Sequence, residues 1–313
     1  MERLESIAGL GELGRPLYVA AGVFDGVHAG HQAVIGAAVE GARAGGGLSG
    51  VLTFDPHPIQ VLAPEKAPRR ILASLRHKER LLAELGVGVL VVLPFTKELA
   101  RRPAGEFAEE LASVPGLRMI SVGEDWKFGK NRLGTVRTLE WHGRRHGVEV
   151  ASASPVMLQG ERVSSTRVRQ ALRDGNLAAA AAMLGRPYTV LGVVSEGDRL
   201  GSKLGAPTAN IKAGDEQLPP DGVYAAALLT GGEWRPGVAN LGVRPTVHGR
   251  ERLLEVHVFY FEGDLYGREV EVRFGRRLRA ERKFRDLEAL RAQIRDDIEA
   301  GKLLFEQGTA LEV

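Results

Sequence analysis

The 313-residue sequence contains no cysteine. Disulfide bonds and thiolate nucleophiles are therefore excluded, and the composition fits a reducing compartment such as the cytoplasm. Long apolar runs are missing as well: the longest extends from Val87 to Phe95, far short of the ~20 residues that cross a bilayer. The segment from Met1 to Gly14 has acidic residues and glycines where a signal peptide has a basic segment and an apolar core. We therefore expect a cytoplasmic protein with no membrane partner.

Charge of one sign is not in excess either. The sequence has 42 lysine and arginine residues against 39 aspartate and glutamate residues, a formal net charge of +3, which by itself does not indicate a nucleic-acid-binding protein. The hydrophobic share of 44% and the charged share of 26% are typical of soluble globular proteins. A chain of this length usually folds into two domains. We expect no nucleic-acid partner and a monomer or weak homo-oligomer.

The stretch from Gly22 to His31, with the sequence GVFDGVHAGH, is the strongest chemical signal in the chain. It follows the apolar run Leu17–Ala21 and precedes an amphipathic segment, which predicts a strand, a tight glycine-containing loop and the start of a helix. The unpaired N–H groups and partial positive charge of a helix N-terminus suit a phosphate group. His28 and His31 are three residues apart, so both can donate hydrogen bonds to a phosphate whose charge grows during transfer.

Two simpler roles for His28 and His31 compete with a nucleotide site. The histidines can cap and pack the turn, which is the usual role of an isolated pair with this spacing. They can also ligate a metal ion, but without cysteine such a site needs His57 or carboxylates, and no further pair with ligand spacing stands nearby. The glycines and the strand-loop-helix setting favour the nucleotide site.

Short apolar runs alternate with helical patterns through the first part of the sequence. This alternation predicts a parallel sheet flanked by helices, with ligands bound at the carboxyl ends of the strands. The runs that predict strands are Leu17–Ala21, Ser49–Phe54, Gly88–Leu93, Leu117–Val122 and Val148–Ser152, and those that predict helices are Leu75–Leu85, Gly105–Leu111, 135–145 and Ala178–Ala182.

After Gly185 the pattern changes to successive β-type runs joined by glycine-rich turns, which predicts an antiparallel barrel. A closing helix, Asp286–Ala300, follows the last run. The β-type runs are Tyr188–Ser195, Val223–Leu229, Arg235–Leu241, Leu253–Phe259 and Glu269–Phe274, and one face of the closing helix carries Leu287, Leu290, Ile294 and Ile298.

A second phosphate signal is the stretch RVSSTRVR, from Arg162 to Arg169. Serine and threonine before an amphipathic run are typical N-cap residues, and capping alone would explain them. The arginines favour a triphosphate site, because guanidinium groups beside a helix N-terminus bind phosphate oxygens well.

A third signal, GSKLGAPTAN from Gly201 to Asn210, lies among the β-type runs. A mobile surface loop is the simpler interpretation; against it, the glycines can cradle phosphates while Thr208 and Asn210 offer neutral oxygens to Mg²⁺. In a later run, alternation places Glu255 and His257 on one face. We expect this face to lie inside the barrel, where a carboxylate is costly unless it is paired or used.

Together, the three stretches resemble the signatures of bacterial bifunctional riboflavin kinase/FAD synthetases. The first contains HxGH, VSSTRVR is similar to ISSTxxR, and PTAN resembles the riboflavin kinase motif. The resemblance extends to Leu278–Phe284 and so covers nearly the whole chain. It implies a Rossmann-like α/β nucleotidyltransferase domain, residues 1–184, followed by an antiparallel β-barrel riboflavin kinase domain with a C-terminal helix, residues 185–313. The implied activities are phosphorylation of riboflavin to FMN by ATP, then adenylylation of FMN by a second ATP with release of pyrophosphate.

The resemblance also implies Mg²⁺ as metal, ATP as co-substrate, and riboflavin, FMN and FAD as substrates and products. Carried onto matching positions, it implies that Glu255 is the general base of the kinase, that His28 and His31 stabilise the transferred phosphate, and that Thr208 and Asn210 hold Mg²⁺. The implied flavin contacts are Phe54, Pro56 and Phe128, and the implied ATP contacts are Gly22, Phe24, Asp25, Gly30, Asp125, Arg162, Ser165, Thr166, Arg169, Gly201 and Gly205.

The sequence departs from the family pattern at Val23, Trp126, Ser202 and Ala206. Val23 stands where a polar residue is common, so a hydrogen bond at the mouth of the site is lost. This leaves open a chain whose kinase works while its adenylylation is weak. A second alternative, nucleotide transfer to another phosphate, is disfavoured by the PTAN motif. A third is a nucleic-acid-binding barrel with a degenerate α/β domain, but the β-type runs lack aromatic residues interleaved on a basic face.

Overall fold

The structure, a computed structural model, describes residues 1–67, 70–196, 206–246 and 249–311. The chain divides into two compact units. The first comprises Met1–Arg69 and Leu75–Ser165, and the second comprises Arg70–Ser74 and Thr166–Val313. The predicted domain boundary between residues 184 and 185 remains a prediction.

A six-stranded sheet with the order β1-β4-β3-β2-β5-β6 forms the centre of the first unit, and every neighbouring pair is parallel. Its central strands are apolar and buried, as expected for a parallel sheet covered by helices. The strand order reverses between β2 and β5, and sheets of this kind bind ligands at such a reversal, beyond the carboxyl ends of the strands. The strands are β1 (Glu2–Leu4), β2 (Leu17–Ala21), β3 (Leu48–Asp55), β4 (Val89–Pro94), β5 (Leu117–Gly123) and β6 (Glu149–Ala153).

Local capping explains where several helices of this unit begin and end. Thr96 accepts a hydrogen bond from the N–H of Leu99 at the start of its helix, and Gly147 ends another in the left-handed conformation. The helices are α1 (Ala8–Gly11), α2 (Ala29–Ala44), α3 (Pro58–Leu62), α4 (Leu75–Glu84), α5 (Lys97–Arg101), α6 (Ala104–Ala112) and α7 (Val136–His146), with short 3-10 turns at Pro64–Lys66 and Lys130–Arg132 and a small hairpin, β7 (Met157–Leu158) and β8 (Glu161–Arg162).

The second unit contains a closed barrel with the strand order β10-β13-β12-β11-β14-β9, in which every pair is antiparallel. Large apolar side chains such as Tyr224 and Phe274 are fully buried and meet edge to face. The elements are α8 (Ser165–Arg173), α9 (Leu177–Leu184), β9 (Thr189–Ser195), β10 (Ala209–Lys212), β11 (Gly222–Thr230), β12 (Glu233–Thr246), β13 (Gly249–Val258), β14 (Glu269–Ala280) and α10 (Leu287–Glu306).

A short segment from the N-terminal half of the chain, Arg70–Ser74, belongs to the second unit. Ile71 donates its N–H to Asp215 O and accepts the N–H of Gln217, so the two segments form a small β-bridge. Glu216 is fully buried, and its carboxylate accepts the N–H groups of Ser74 at 2.8 Å and Leu191 at 2.9 Å. These hydrogen bonds tie the segment to the start of the barrel.

The predicted architecture is confirmed: a parallel sheet with helices, then an antiparallel barrel, then a helix. The sequence pattern does not predict β1 or β10. β1 has the sequence ERL and β10 the sequence ANIK, and neither is a long enough apolar run to indicate a strand. Within the described residues, no helix is long and apolar enough to cross a membrane.

Candidate active sites

The loop between β2 and α2 adopts a backbone conformation that residues with a Cβ usually avoid. Phe24 and Val27 have φ values of +51° and +44°, and Gly26 has +81°. The left-handed conformation costs roughly 1–2 kcal/mol for an ordinary residue, so the surrounding structure must hold it in place. The ring of Phe24 folds back onto Gly22, where an added Cβ would lie 2.9 Å from a ring carbon. Gly22 is therefore required by the close approach of this ring.

Two histidines and Phe24 pack together at the N-terminus of α2. The rings of His28 and His31 are stacked with their centroids 3.5 Å apart, and the Phe24 ring meets His31 edge-on at 5.4 Å. His28 also caps the helix, because its Nδ1 accepts the N–H of His31 at 3.3 Å. A neutral His28 ring therefore carries its proton on Nε2. Capping and a nucleotide site are thus compatible roles for the same residue.

His31 contains a buried polar atom that has no partner among the described residues. Its Nδ1 makes no hydrogen bond within the described part of the chain. Burial, followed by the charges of His28, Lys78 and Arg162, holds the pKa of His31 well below its usual value, so the ring is neutral at pH 7. A buried polar atom without a partner is unusual in a folded protein and is consistent with a ligand-binding role. Among the described residues, no group of three or more His, Asp or Glu side chains is placed to hold a metal ion.

Side chains from other elements hold the carbonyl groups of this loop. Val23 O accepts hydrogen bonds from Thr53 Oγ1 of β3 at 3.0 Å and from Lys78 Nζ of α4 at 2.8 Å. Asp25 O accepts a hydrogen bond from the hydroxyl of Ser165 at 2.9 Å, which connects the HxGH loop to the second motif. The side chain of Val23 packs against the hydrophobic core, so this position contributes hydrogen bonds through its backbone rather than its side chain.

Lys78 and Thr53 are not among the residues that sequence reasoning selected. Thr53 lies within the buried strand β3, and Lys78 lies in a helix with the sequence LRHKERLLAE, where a lysine suggests a solvated face. A signal for Lys78 does exist: it lies three and four residues before the buried Leu81 and Leu82, on the apolar face of the helix. Lys78 itself is 6% exposed.

Asp125 and Arg162, two predicted ATP contacts, pair with each other. Arg162 Nη2 donates to Asp125 Oδ1 at 3.0 Å, and Nη1 donates to Oδ2. The hydrogen bond from Arg162 lowers the pKa of Asp125 and raises that of the guanidinium.

Thr166 and Arg169 lie on α8, which begins at Ser165, and Arg169 is 7% exposed. Gly30 lies beside His28, where an added Cβ would approach the imidazole to 3.2 Å.

The predicted flavin contacts have different surroundings. Pro56 is exposed at the end of β3, whereas Phe54 is 8% exposed and meets Phe95 edge to face. Phe128 is 7% exposed and lies between Phe107 and Trp126. Trp126 stacks on Phe128 with the ring centroids 4.7 Å apart, and Trp126 is the more exposed of the two rings.

In the second unit, Glu255 of β13 lies directly opposite Asn240 of β12 on one side and Asn210 of β10 on the other. Side chains directly opposite each other in antiparallel strands share one face of the sheet. Asn240 Nδ2 donates to a carboxylate oxygen of Glu255 at 3.4 Å, and His257 Nδ1 lies 2.8 Å from Pro207 O. The structure thus brings the carboxylate and the amides into one row across three strands.

The prediction that Glu255 and His257 share a face is confirmed, but the prediction that this face lies inside the barrel is wrong. Leu254 and Val256, which alternate with them, are each 1% exposed and fill the interior. Glu255 faces outward into a cavity of about 280 Å³ that α10 covers. The cavity is lined by Ala206, Thr208, Val223, Val238, Asn240, Glu255, His257, Arg279, Glu281, Arg282, Phe284, Leu290, Ile294, Asp297 and Ile298.

The closing helix supplies the apolar wall of this cavity. Leu290, Ile294 and Ile298 line it as one face of α10, as predicted, whereas Leu287, at the start of the same face, is 62% exposed and does not line the cavity. Asp297, which sequence reasoning did not select, pairs with Arg279 through hydrogen bonds of 2.7 to 3.1 Å. The predicted ATP contacts Gly201 and Gly205 lie outside the described residues. Ser202, where the sequence departs from the family pattern, lies outside them as well.

Comparison with known proteins agrees with this arrangement. Residues 12–167 match the family model for FAD synthetase, and residues 184–305 match the family model for riboflavin kinase. The bifunctional riboflavin kinase/FMN adenylyltransferase of Escherichia coli strain K12 is 42% identical over 283 residues, covering 89% of this chain and 90% of that protein. The protein of the same name from Bacillus subtilis strain 168 is 34% identical over 285 residues, covering 89% of each chain.

A solved structure is similar as well. The crystal structure of a macrolide-efflux protein from Streptococcus pneumoniae has a TM-score of 0.82 and 30% identity, covering 96% of this chain and 99% of that one. Its name describes that protein alone.

Fold and sites define a two-part transferase, with a nucleotidyltransferase-type α/β unit and a flavokinase-type barrel. The chain belongs to the bifunctional riboflavin kinase/FMN adenylyltransferase family.

Proposed function

We propose that this chain makes FAD in two steps at two separate sites, with the residues assigned below. The barrel phosphorylates riboflavin to FMN, and the α/β unit joins FMN to the AMP part of a second ATP. The observation that carries the proposal is the stack of His28 and His31 at the N-terminus of α2, in which the buried His31 Nδ1 has no partner among the residues that the structure describes. Helix N–H groups and imidazole N–H donors are well suited to a polyphosphate.

In the barrel, Glu255 acts as the general base. It takes the proton of the ribityl 5′-hydroxyl as that oxygen bonds to the γ-phosphorus of ATP, and the bond from this phosphorus to the β-bridging oxygen breaks to release ADP. Three observations support this assignment: Glu255 lines the cavity, lies opposite two asparagines, and accepts a hydrogen bond from one of them. Positioning and charge stabilisation supply most of the rate of phosphoryl transfer.

The donor set beside Glu255 fits Mg²⁺. Asn210 lies directly opposite Glu255, and Thr208 lines the same cavity two residues earlier in the chain. Their neutral oxygens, together with phosphate oxygens and water, are ligands that Mg²⁺ accepts in kinase sites. We propose that Thr208 and Asn210 hold the ion, which when bound neutralises charge on the phosphates of ATP.

In the α/β unit, a phosphate oxygen of FMN attacks the α-phosphorus of ATP, and the bond from that phosphorus to the β-bridging oxygen breaks to release pyrophosphate. His28 donates from Nε2 to the α-phosphate as the charge on that phosphate grows. Neutral His31 helps to stabilise the same phosphate. The loop around the nucleotide is shaped by Gly22, Phe24, Asp25 and Gly30. The triphosphate is bound by Ser165, Thr166, Arg162 and Arg169 together with Asp125. The flavin is bordered by Phe54, Pro56 and Phe128.

The Asp125–Arg162 pair supports a role for both residues in nucleotide binding. These side chains are about half exposed, so their ion pair is weak and can be exchanged for contacts with a ligand.

We further propose that Gly201 and Gly205 contact ATP in the kinase reaction. We also propose that the enzyme works in the cytoplasm as a monomer or weak homo-oligomer. Its proposed partners are riboflavin, FMN and ATP, with no nucleic acid or membrane.

The proposal is tested by incubating the protein with riboflavin, ATP and MgCl₂ and separating the flavins by chromatography. We expect FMN to appear first and FAD to follow. A parallel reaction started from FMN and ATP isolates the second step. FMN that accumulates without FAD would show that the chain is a kinase with weak adenylylation and would refute the two-step proposal.

A further inference from the structure

Lys78 is a buried lysine whose surroundings point to a role in the first unit beyond packing. It is 6% exposed, and a lysine is almost never buried to this degree unless it is paired or used. Burial lowers the pKa of Lys78, while the nearby carboxylates of Asp25 and Asp55 act in the opposite direction. The two acidic neighbours favour the ammonium form and so offset part of the effect of burial.

Among the described residues, the ammonium group of Lys78 donates its hydrogen bond to the loop itself. Lys78 Nζ donates to Val23 O at 2.8 Å, and Thr53 Oγ1 donates to the same oxygen at 3.0 Å. Phe24 follows immediately with a φ of +51°. The two donors therefore fix the peptide group before a residue in the left-handed conformation, at the point where the chain turns toward α2.

That turn decides where the Phe24 ring lies. The ring is 2% exposed, meets His31 edge-on at 5.4 Å and is packed onto Gly22. If the Val23 carbonyl rotates, ψ of Val23 and φ of Phe24 change, and the edge of the ring that contacts His31 moves with them. Lys78 is thus connected to His31 through one hydrogen bond and one ring.

We propose that Lys78 is a positioning residue for adenylyl transfer: its ammonium group holds the Val23 carbonyl, which keeps Phe24 against His31, and it supplies a fixed positive charge beneath the site that receives the phosphates of a nucleoside triphosphate. The role rests on the proposed function of the α/β unit. Nothing in it requires Lys78 to touch the substrate. Positioning errors of about 1 Å can cost on the order of 10²-fold in rate.

Three variants separate the charge from the hydrogen bond. Lys78→Met removes both with little change in shape. Lys78→Gln keeps a neutral donor and removes the charge. Thr53→Val removes only the neighbouring hydrogen bond to the same oxygen. Lys97→Met is the matched control, because Lys97 is exposed on α5 in the same unit.

Steady-state adenylylation of supplied FMN is the first measurement. We expect Lys78→Met to lower kcat by about 10- to 100-fold while the KM for ATP changes less than about threefold, since a displaced His31 acts mainly in the transition state. Thr53→Val should give a smaller loss, and Lys97→Met should match the parent. A kcat for folded Lys78→Met equal to that of the parent overturns the role.

Titration of the His31 ring by NMR, without substrates, is a second measurement that a packing role would not affect. The groups whose charges act on His31 are His28, Lys78 and Arg162. Since Lys78 lowers the pKa of His31, we expect that pKa to rise in both Lys78→Met and Lys78→Gln and to stay near the parental value in Thr53→Val. An unchanged value in the lysine variants contradicts the charge part of the proposal.

The outcomes distinguish this role from the proposed function. If the parent makes no FAD from FMN and ATP, the function of the α/β unit is refuted, and the role of Lys78 with it. If the parent makes FAD and Lys78→Met does so equally well, only the role of Lys78 fails. Should Lys78→Met not fold, Lys78→Gln must lower kcat and raise the pKa of His31, and parental values in that variant overturn the role.

Discussion

Asn210 lies directly opposite Glu255 where β10 pairs with β13, so the last residue of the PTAN motif and the carboxylate share one face of the barrel. The two residues are 45 positions apart in the sequence. Their register is set by the backbone ladder, in which Ala209 faces Val256 and Ile211 faces Leu254. A carboxylate that is fixed in this way keeps a constant position relative to the neutral oxygens beside it.

The first prediction concerns Glu255. Glu255→Gln keeps the size and the hydrogen bond with Asn240 but cannot take up a proton, so FMN formation should fall by about 10²-fold or more. FAD formation from supplied FMN should be nearly unchanged. Glu233→Gln, an exposed position on β12, is the matched control and should retain both activities. Equal losses of both activities in Glu255→Gln would point to misfolding and would contradict the assignment.

The second prediction separates the two tasks of His28. His28→Ala removes the helix cap and the Nε2 donor, whereas His28→Asn keeps a good capping side chain but, because its amide N–H groups lie closer to the backbone, has no donor at the position of Nε2. Adenylylation should fall by roughly 10²–10³-fold in both variants, because a donor to the transition state is lost in both. Apparent ATP affinity should change little, and riboflavin phosphorylation should continue.

Thermal unfolding of the first unit then checks the cap. The alanine variant should lose about 1 kcal/mol of unfolding free energy, and the asparagine variant less. If His28→Asn makes FAD at the parental rate, His28 is a capping residue and the site lies elsewhere.

The third prediction concerns acid. The pKa of His31 is lower in the folded chain than in the unfolded chain, where it is near 6.5. The unfolded state therefore binds a proton more readily, and the stability of the first unit should fall as the pH drops below 6.5 toward the folded pKa. His31→Gln removes this contribution. Urea unfolding at pH 7.5 and pH 5.5 should show a larger loss for the parent than for His31→Gln, and equal losses would contradict the neutral, buried state of this ring.

The fourth prediction concerns Glu216. Its two oxygens accept the N–H groups of Ser74 and Leu191. Glu216→Gln replaces one acceptor with an amide N–H group that faces a backbone donor, so the unfolding free energy of the second unit should fall by about 1–3 kcal/mol. Glu233→Gln should change it by less than about 0.5 kcal/mol. Calorimetry on the full chain measures both, and a parental transition in Glu216→Gln would show that these hydrogen bonds contribute little.

Local patterns predict most of the fold because they depend on nearest neighbours along the chain. Apolar runs such as Leu17–Ala21 and Val223–Leu229 correspond to β2 and β11, and the alanine-rich 178–182 lies within α9. The side of the barrel on which Glu255 lies could not be predicted, because alternation fixes which residues share a face but not which face the closing helix covers. Strand β10 was missed for a related reason, since its four residues become a strand only by pairing with β9 and β13.

Sequence reasoning selected candidate site residues that lie together in the chain, and it did not find contacts between residues that are distant in sequence. His28 and His31 are in one motif, but Lys78 reaches Val23 across 55 positions. A lysine between arginines and glutamates has the composition of a solvated face, and only its spacing from Leu81 and Leu82 indicates burial. The partnership of Asp125 with Arg162, 37 positions apart, was equally invisible in the sequence.

The segment Arg70–Ser74 also limits how this protein can be divided. Because these five residues belong to the second unit while residues on both sides belong to the first, no single cut in the gene yields two complete modules. A fragment that starts at residue 166 or 185 lacks the strand partner of Glu216 and one donor to its carboxylate. A kinase barrel moved into another protein therefore needs those five residues added as a separate segment. A gene split between the two halves would produce a barrel that lacks them as well.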